Sequence, residues 1–232
     1  MLLILTGNIQ IGKTRWLQGC VSRLEDAGVV CEGVLAPGVW RDHVGEGAVG
    51  EGSAAKGSAA RFEKLGIDNV LLPGHAVVPF ARRADLAMRE GTYDATCGAA
   101  KEGLTWNIPD SAVAEVNRHF DALAEHVTAA HAAAEAADAG RAGGEGPCGP
   151  RRLLVVDELG RLELMANCGL TSAMGLLARG PQGYYDLALV VVRELFGLNE
   201  RARDQFGEAW GGAAFVSPCD ATWEEWLAPL CR

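Results

Sequence analysis

The sequence predicts an α/β fold: a mostly parallel sheet with helices on both faces and an antiparallel hairpin extension, all within one domain spanning residues 1–232. Three observations predict it. A short apolar run opens the chain, passes through a glycine-bounded loop and enters a stretch of helical periodicity. A second wholly apolar run, Leu153, Leu154, Val155 and Val156, ends in two adjacent carboxylates, Asp157 and Glu158. Beyond it, apolar runs alternate with helical patterns, the order that right-handed crossovers in a parallel sheet require.

Residues 1–6 read as a buried strand. Residues 13–26 place Trp16, Leu17, Cys20, Val21 and Leu24 on one face of a helix, which Gly28 closes. Residues 29–35 are predicted as a second strand. Residues 36–60 then thin into Gly, Ala and Ser around a few charges, a composition that buries little and predicts a long hairpin tip or loop. Structure resumes over 61–65 and 69–72. Residues 77–82 and 104–108 read as further short strands, making about 35–108 an antiparallel excursion from the main sheet.

Asp110 or Ser111 caps the next helix, whose apolar stripe is Val113, Val116, Phe120, Leu123, Ala124 and Val127. That helix runs through alanine-rich sequence to about residue 138, and the Gly- and Pro-rich 140–150 is predicted as a linker. Its histidines, His119, His126 and His131, lack the carboxylate pattern of a metal site and read as a solvated face. After Glu158 come a helix over 167–179, a strand over 187–192, a helix over 198–206, a strand over 213–216 and a closing helix over 223–230.

Bulk properties narrow the function. Apolar residues make up 49% of the chain, enough for a real core. The formal charge of −9 makes nonspecific nucleic-acid binding and adhesion to anionic lipid poor expectations. Seven scattered cysteines without a CxxC pair read as reduced thiols, which predicts a cytoplasmic protein. The opening apolar run is too short for a signal peptide and has no charged leader, and no apolar stretch approaches the length of a bilayer span.

The opening loop carries the chemistry. Gly7 to Thr14 fits the phosphate-loop pattern GxxxxGK(S/T), set between a strand and a helix as that pattern requires. Gly7 and Gly12 let backbone N–H groups approach phosphate oxygens, and the helix N-terminus adds partial positive charge. Lys13 reaches the β- and γ-phosphates, and the Thr14 hydroxyl is a hard oxygen suited to Mg²⁺. The nucleotide-binding candidates are therefore Gly7, Asn8, Ile9, Gln10, Ile11, Gly12, Lys13, Thr14 and Arg15.

Asp157 and Glu158 stand at the carboxyl end of their strand, where ligands of open α/β sheets sit. If that strand lies near the first one, Asp157 faces the Mg²⁺ held by Thr14, and Glu158 orients or deprotonates a water attacking the γ-phosphate. Arg193 ends the strand over 187–192. It is read either as a cation reaching phosphate, in cis or with an arginine supplied in trans, or as a surface residue paired with Glu194.

Asp157-Glu158-Leu159-Gly160-Arg161-Leu162-Glu163 resembles the Walker B segment of the P-loop nucleoside-triphosphatase family sometimes called cancer-related nucleoside-triphosphatases. The phosphate loop and Gly33-Val34-Leu35 match as well, and the likeness spans residues 1 to about 206. The resemblance implies a RecA-like core and slow hydrolysis of ATP, GTP and other triphosphates with Mg²⁺ as cofactor. It also implies Lys13 and Thr14 as phosphate and Mg²⁺ ligands, Asp157 as support for the metal and Glu158 as the catalytic carboxylate. Glu163 matches the motif's last acidic position, as a helix-start contact or a contact behind the site.

The expected activity is hydrolysis of a nucleoside triphosphate to the diphosphate and phosphate, with Lys13 and Glu158 as the catalytic residues. Two alternatives stay open. A nucleotide or small-molecule kinase would need a closing lid that excludes water and an acceptor site, often rich in arginine, and residues 36–60 hold only Arg41 and Lys56. A nucleotide-dependent switch or assembly module would turn over little without a protein partner, which the sequence does not name.

Overall fold

A computed structural model of the chain describes residues 1–8, 11–42, 62–138 and 149–232. Two of the phosphate-loop candidates, Ile9 and Gln10, lie outside the described residues, as do most of the predicted hairpin tip and most of the predicted linker.

Among the described residues nine strands form one mixed α/β sheet. Five are mutually parallel: β1 (Leu2–Leu5), β2 (Val30–Leu35), β7 (Arg152–Leu159), β8 (Leu187–Val192) and β9 (Ala213–Val216). They lie in the order β2-β7-β8-β1-β9, so β8 separates the strand of the glycine loop from the strand of the paired carboxylates. The other four extend the sheet antiparallel beyond β2: β3 (Gly38–Asp42), β4 (Phe62–Leu72), β5 (Ala76–Arg83) and β6 (Trp106–Asn107).

The parallel strands β1, β2, β7 and β8 are buried on both faces because alternate residues serve two cores. Leu2, Ile4, Leu154, Val156, Val190 and Val192 pack beneath α4 (Asp110–Asp138), α6 (Thr171–Arg179) and α7 (Leu198–Phe206). Leu3, Leu5, Leu153, Val155, Leu189 and Val191 face α1 (Lys13–Asp26) and the closing helical turns through Trp223 and Leu227. Gly33 is required where β2 meets β7. Its φ is +119°, and a Cβ there would stand 2.0 Å from the Val155 carbonyl oxygen. The Gly33 carbonyl accepts a hydrogen bond from His119 of α4 at 3.0 Å. His126 stacks edge-on to Tyr184 and His131 lies beside Glu135, so the three histidines serve separate contacts.

Several boundaries differ from expectation. Residues 38–42 pair with β4 as a strand, because Val39 and Trp40 favour extended backbone despite the glycine-rich surroundings. Of the stretches predicted over 61–65 and 69–72, residue 61 lies outside the described residues and the rest belong to the single strand β4, whose register against β5 shifts between Ile67 and Asp68. Two short helices, α2 (Ala84–Glu90) and α3 (Gly98–Lys101), were not expected from the sequence. The helix predicted from 167 starts at Thr171, since Asn167 and Gly169 hold φ of 55° and 76°. Ahead of it lies a single turn, α5 (Arg161–Leu164). The closing helix is irregular turns over 220–231; Pro229 has no N–H to continue an α-helical ladder. No helix among the described residues is long and apolar enough to cross a membrane.

Candidate functional site

The site is assembled at the carboxyl ends of β1, β7 and β8. Gly12, with φ of +91°, turns the chain into α1, which starts at Lys13 with no side-chain cap and no acidic residue in its first turn. A capping oxygen or carboxylate would occupy the first N–H groups; their lack leaves the helix N-terminus to an outside acceptor. Lys13 folds back over the loop, its Nζ donating to the carbonyls of Gly7 and Asn8, each at 2.9 Å. Burial pushes the Lys13 ammonium below its ordinary pKa, and the charge of Glu158 opposes that shift. Gly7 is half-buried, whereas Asn8, Ile11 and Arg15 are exposed.

Asp157 ties three elements together. Its Oδ1 accepts from the Thr14 hydroxyl at 3.2 Å and its Oδ2 from the Ala36 amide at 3.0 Å. The side chain is 2% exposed, and burial pushes its pKa up to about 6 against the opposing pull of the Ala36 and Thr14 hydrogen bonds. The Thr14 and Asp157 oxygens sit together although β8 separates β1 from β7. Both are hard donors, and one carboxylate plus a hydroxyl is the protein share usual for Mg²⁺ when substrate phosphates and water supply the rest. The residues therefore fit that ion.

Glu158 lies in a bulge. Asp157 pairs with Val191 and Leu159 with Val192, so Glu158 has no opposite number on β8 and its side chain is re-aimed. The Asp157–Glu158 peptide is cis. Arg193 binds Glu158 through two hydrogen bonds, Nε to Oε1 and Nη2 to Oε2. The partner of Arg193 is thus Glu158, not its chain neighbour Glu194. Glu163 serves the start of α5: Oε2 accepts from the Gly160 amide at 2.9 Å and Oε1 from Leu170 at 3.1 Å. That is a structural cap behind Glu158, and burial raises the Glu163 pKa.

Lys64 of β4 is the residue that sequence reasoning missed. Its Nζ lies 5.9 Å from the Trp40 ring and 5.2 Å from the Trp106 ring, with no ion pair or hydrogen bond among the described residues. Burial lowers its pKa, and the charges of Glu158, Arg193 and Asp157 act on it. Nothing in the local sequence marks it, because the antiparallel pairing that brings it near is long-range.

No family model matches the chain, and no curated protein or solved structure matches it either. Its chemistry is therefore inferred from its own residues.

Proposed function

We propose that the protein is a P-loop nucleoside triphosphatase with a RecA-like core, hydrolysing a nucleoside triphosphate to the diphosphate and phosphate. The observation that carries this reading is the 3.2 Å contact between Thr14 and Asp157 at the foot of the uncapped α1 N-terminus. A phosphate cradle and an acidic strand end, 143 positions apart in sequence, meet where a phosphate-bound cation would sit. The Walker B resemblance of residues 157–163 supports the same reading.

In this reading the loop amides and the Lys13 ammonium bind the β- and γ-phosphate oxygens and stabilise charge that builds there during transfer. Thr14 and Asp157 would hold Mg²⁺, which when bound supplies further charge neutralisation at those oxygens. Glu158 orients the attacking water and takes its proton once one carboxylate oxygen leaves Arg193. The guanidinium so released would contact the γ-phosphate, and Lys64 would add a second cation on the side of the β-extension.

A second reading, phosphoryl transfer to a small acceptor, draws on one observation: a cavity whose wall includes both Glu158 and Arg193. One experiment separates the two. Diphosphate and free phosphate are quantified in single turnover across a nucleotide panel, with Mg²⁺ and with chelator. Hydrolysis gives equal amounts of both only with Mg²⁺. Diphosphate in excess of free phosphate selects transfer, and no turnover with any nucleotide sinks both readings.

A further inference from the structure

Beside the carboxylate end of β7 lies a cavity of about 260 Å³ that extends from Glu158 and Arg193 toward the β-extension. Its bed is apolar, formed by Phe80, Trp106, Ile108 and Leu162 from the β-extension and α5. An engineered apolar cavity of about 150 Å³ accommodates benzene, so this one is large enough for a fused two-ring compound.

Two further observations point to a ligand. Asn69 of β4 lines the cavity at 1% exposure, and its Oδ1 has no hydrogen-bond partner. Buried amides are normally satisfied, and an orphan acceptor in a cavity wall is explained by a donor on whatever fills the cavity. At the mouth, Leu195 and Phe196 are 41% and 68% exposed, and Phe196 holds a left-handed φ of 57°. A bound ring system would cover apolar surface that now faces solvent.

We propose that this cavity is a second ligand site, for a small aromatic molecule of one or two fused rings bearing an N–H or O–H donor directed to Asn69. The molecule lies against Glu158 and Arg193 at the cavity's polar edge. The inference rests on the cavity, Asn69 and the exposed apolar mouth, none of which belongs to the phosphate loop.

Indole and its isostere indene, which has CH₂ in place of N–H, are the probes. Each is titrated into the full chain without nucleotide, and binding is followed by NMR. Wild type should bind both in the millimolar range or tighter. The ratio of indole to indene affinity should fall about tenfold in Asn69→Leu, the worth of one hydrogen bond to a buried acceptor. Because the ratio compares two rings in one protein, loss of general packing cancels. Ala81→Leu, which adds volume to the cavity wall, should weaken both probes at least tenfold. Circular dichroism and thermal melts check that each variant folds, and Asn69→Leu should melt no lower than wild type because no contact of Oδ1 is lost.

Failure of indole to bind wild type up to its solubility limit would overturn the proposal. So would an affinity ratio unchanged by Asn69→Leu, or probe binding that ignores Ala81→Leu. Separate titration with a nonhydrolysable ATP analogue reports on the phosphate loop, so failure of one site is not confused with failure of the other.

Discussion

The guanidinium of Arg193, at the end of β8, holds both carboxylate oxygens of Glu158, in the bulge of β7. The two residues given opposite tasks at a γ-phosphate, proton acceptor and cation, neutralise each other in this conformation. With both carboxylate oxygens engaged there is no free one to receive a water, so in the proposed reaction a triphosphate that draws Arg193 toward itself would also free Glu158 for water. In the proposed reaction the pair would thus couple phosphate occupancy to activation of the base.

Glu158→Gln should lower hydrolysis by about 10²–10⁴-fold, the usual range for loss of a general base. The amide keeps the size of the side chain but takes no proton from water. Nucleotide affinity should survive, since Lys13, Thr14, Asp157 and the loop amides are untouched. The lost ion pair is partly exposed and should change stability by no more than about 1 kcal/mol. Single-turnover phosphate release beside nucleotide affinity decides it; near wild-type hydrolysis would place the base elsewhere.

Lys13→Ala should weaken triphosphate binding far more than it weakens the fold. Each charge-assisted hydrogen bond lost is worth about 1.5–3 kcal/mol, at least a tenfold fall in affinity. Among the described residues of the free protein Lys13 bonds two loop carbonyls, so the melting temperature should scarcely move. Calorimetry with a nonhydrolysable ATP analogue measures the effect. Unchanged affinity would reduce residues 7–14 to a tight turn.

Much of the parallel core was legible because its signals are local. Residues 153–156 and 187–192 are unbroken apolar runs, and the structure places strands over both. The helix over 13–26 has the predicted bounds. Near residue 167 the prediction failed because two left-handed residues interrupt a pattern that periodicity alone would continue. At the site, Thr14 and Asp157 were each marked by a motif. The Arg193–Glu158 pairing was hidden because Glu194 offered a nearer charge, and only the bulge at Glu158 turns that carboxylate toward β8. Lys64 and Asn69 could not be found at all, since their placement follows from the pairing of β4 with β2 and β5.

Lys64→Met should slow hydrolysis by about tenfold or more while leaving the fold intact. Methionine keeps an unbranched apolar stem between Trp40 and Trp106 but removes the cation that acts on Asp157 and Glu158. A cation near developing phosphate charge is worth more in the transition state than in the ground state. The expected signature is therefore a fall in kcat with little change in KM. A rate equal to wild type would make Lys64 a purely structural stack.

Asp157 sets a pH dependence whose sign follows from its burial. In the free protein its pKa is about 6, against an ordinary value of 3.8. The folded chain therefore holds this proton more tightly than the unfolded chain does. The stability linked to it is full below about pH 4 and is lost as pH rises through about 6. At most it amounts to about 3 kcal/mol. Asp157→Asn removes the titration, so the unfolding free energy of the variant should fall less than that of wild type between pH 4 and 7. In the proposed site nucleotide binding with Mg²⁺ would require the carboxylate, so it should weaken up to tenfold per unit as pH drops below 6. It should also release up to one proton there. Calorimetry at pH 5.5 in two buffers of different ionisation enthalpy counts that proton directly. If wild type releases none, or if Asp157→Asn releases as many as wild type, Asp157 is not the group that meets the metal.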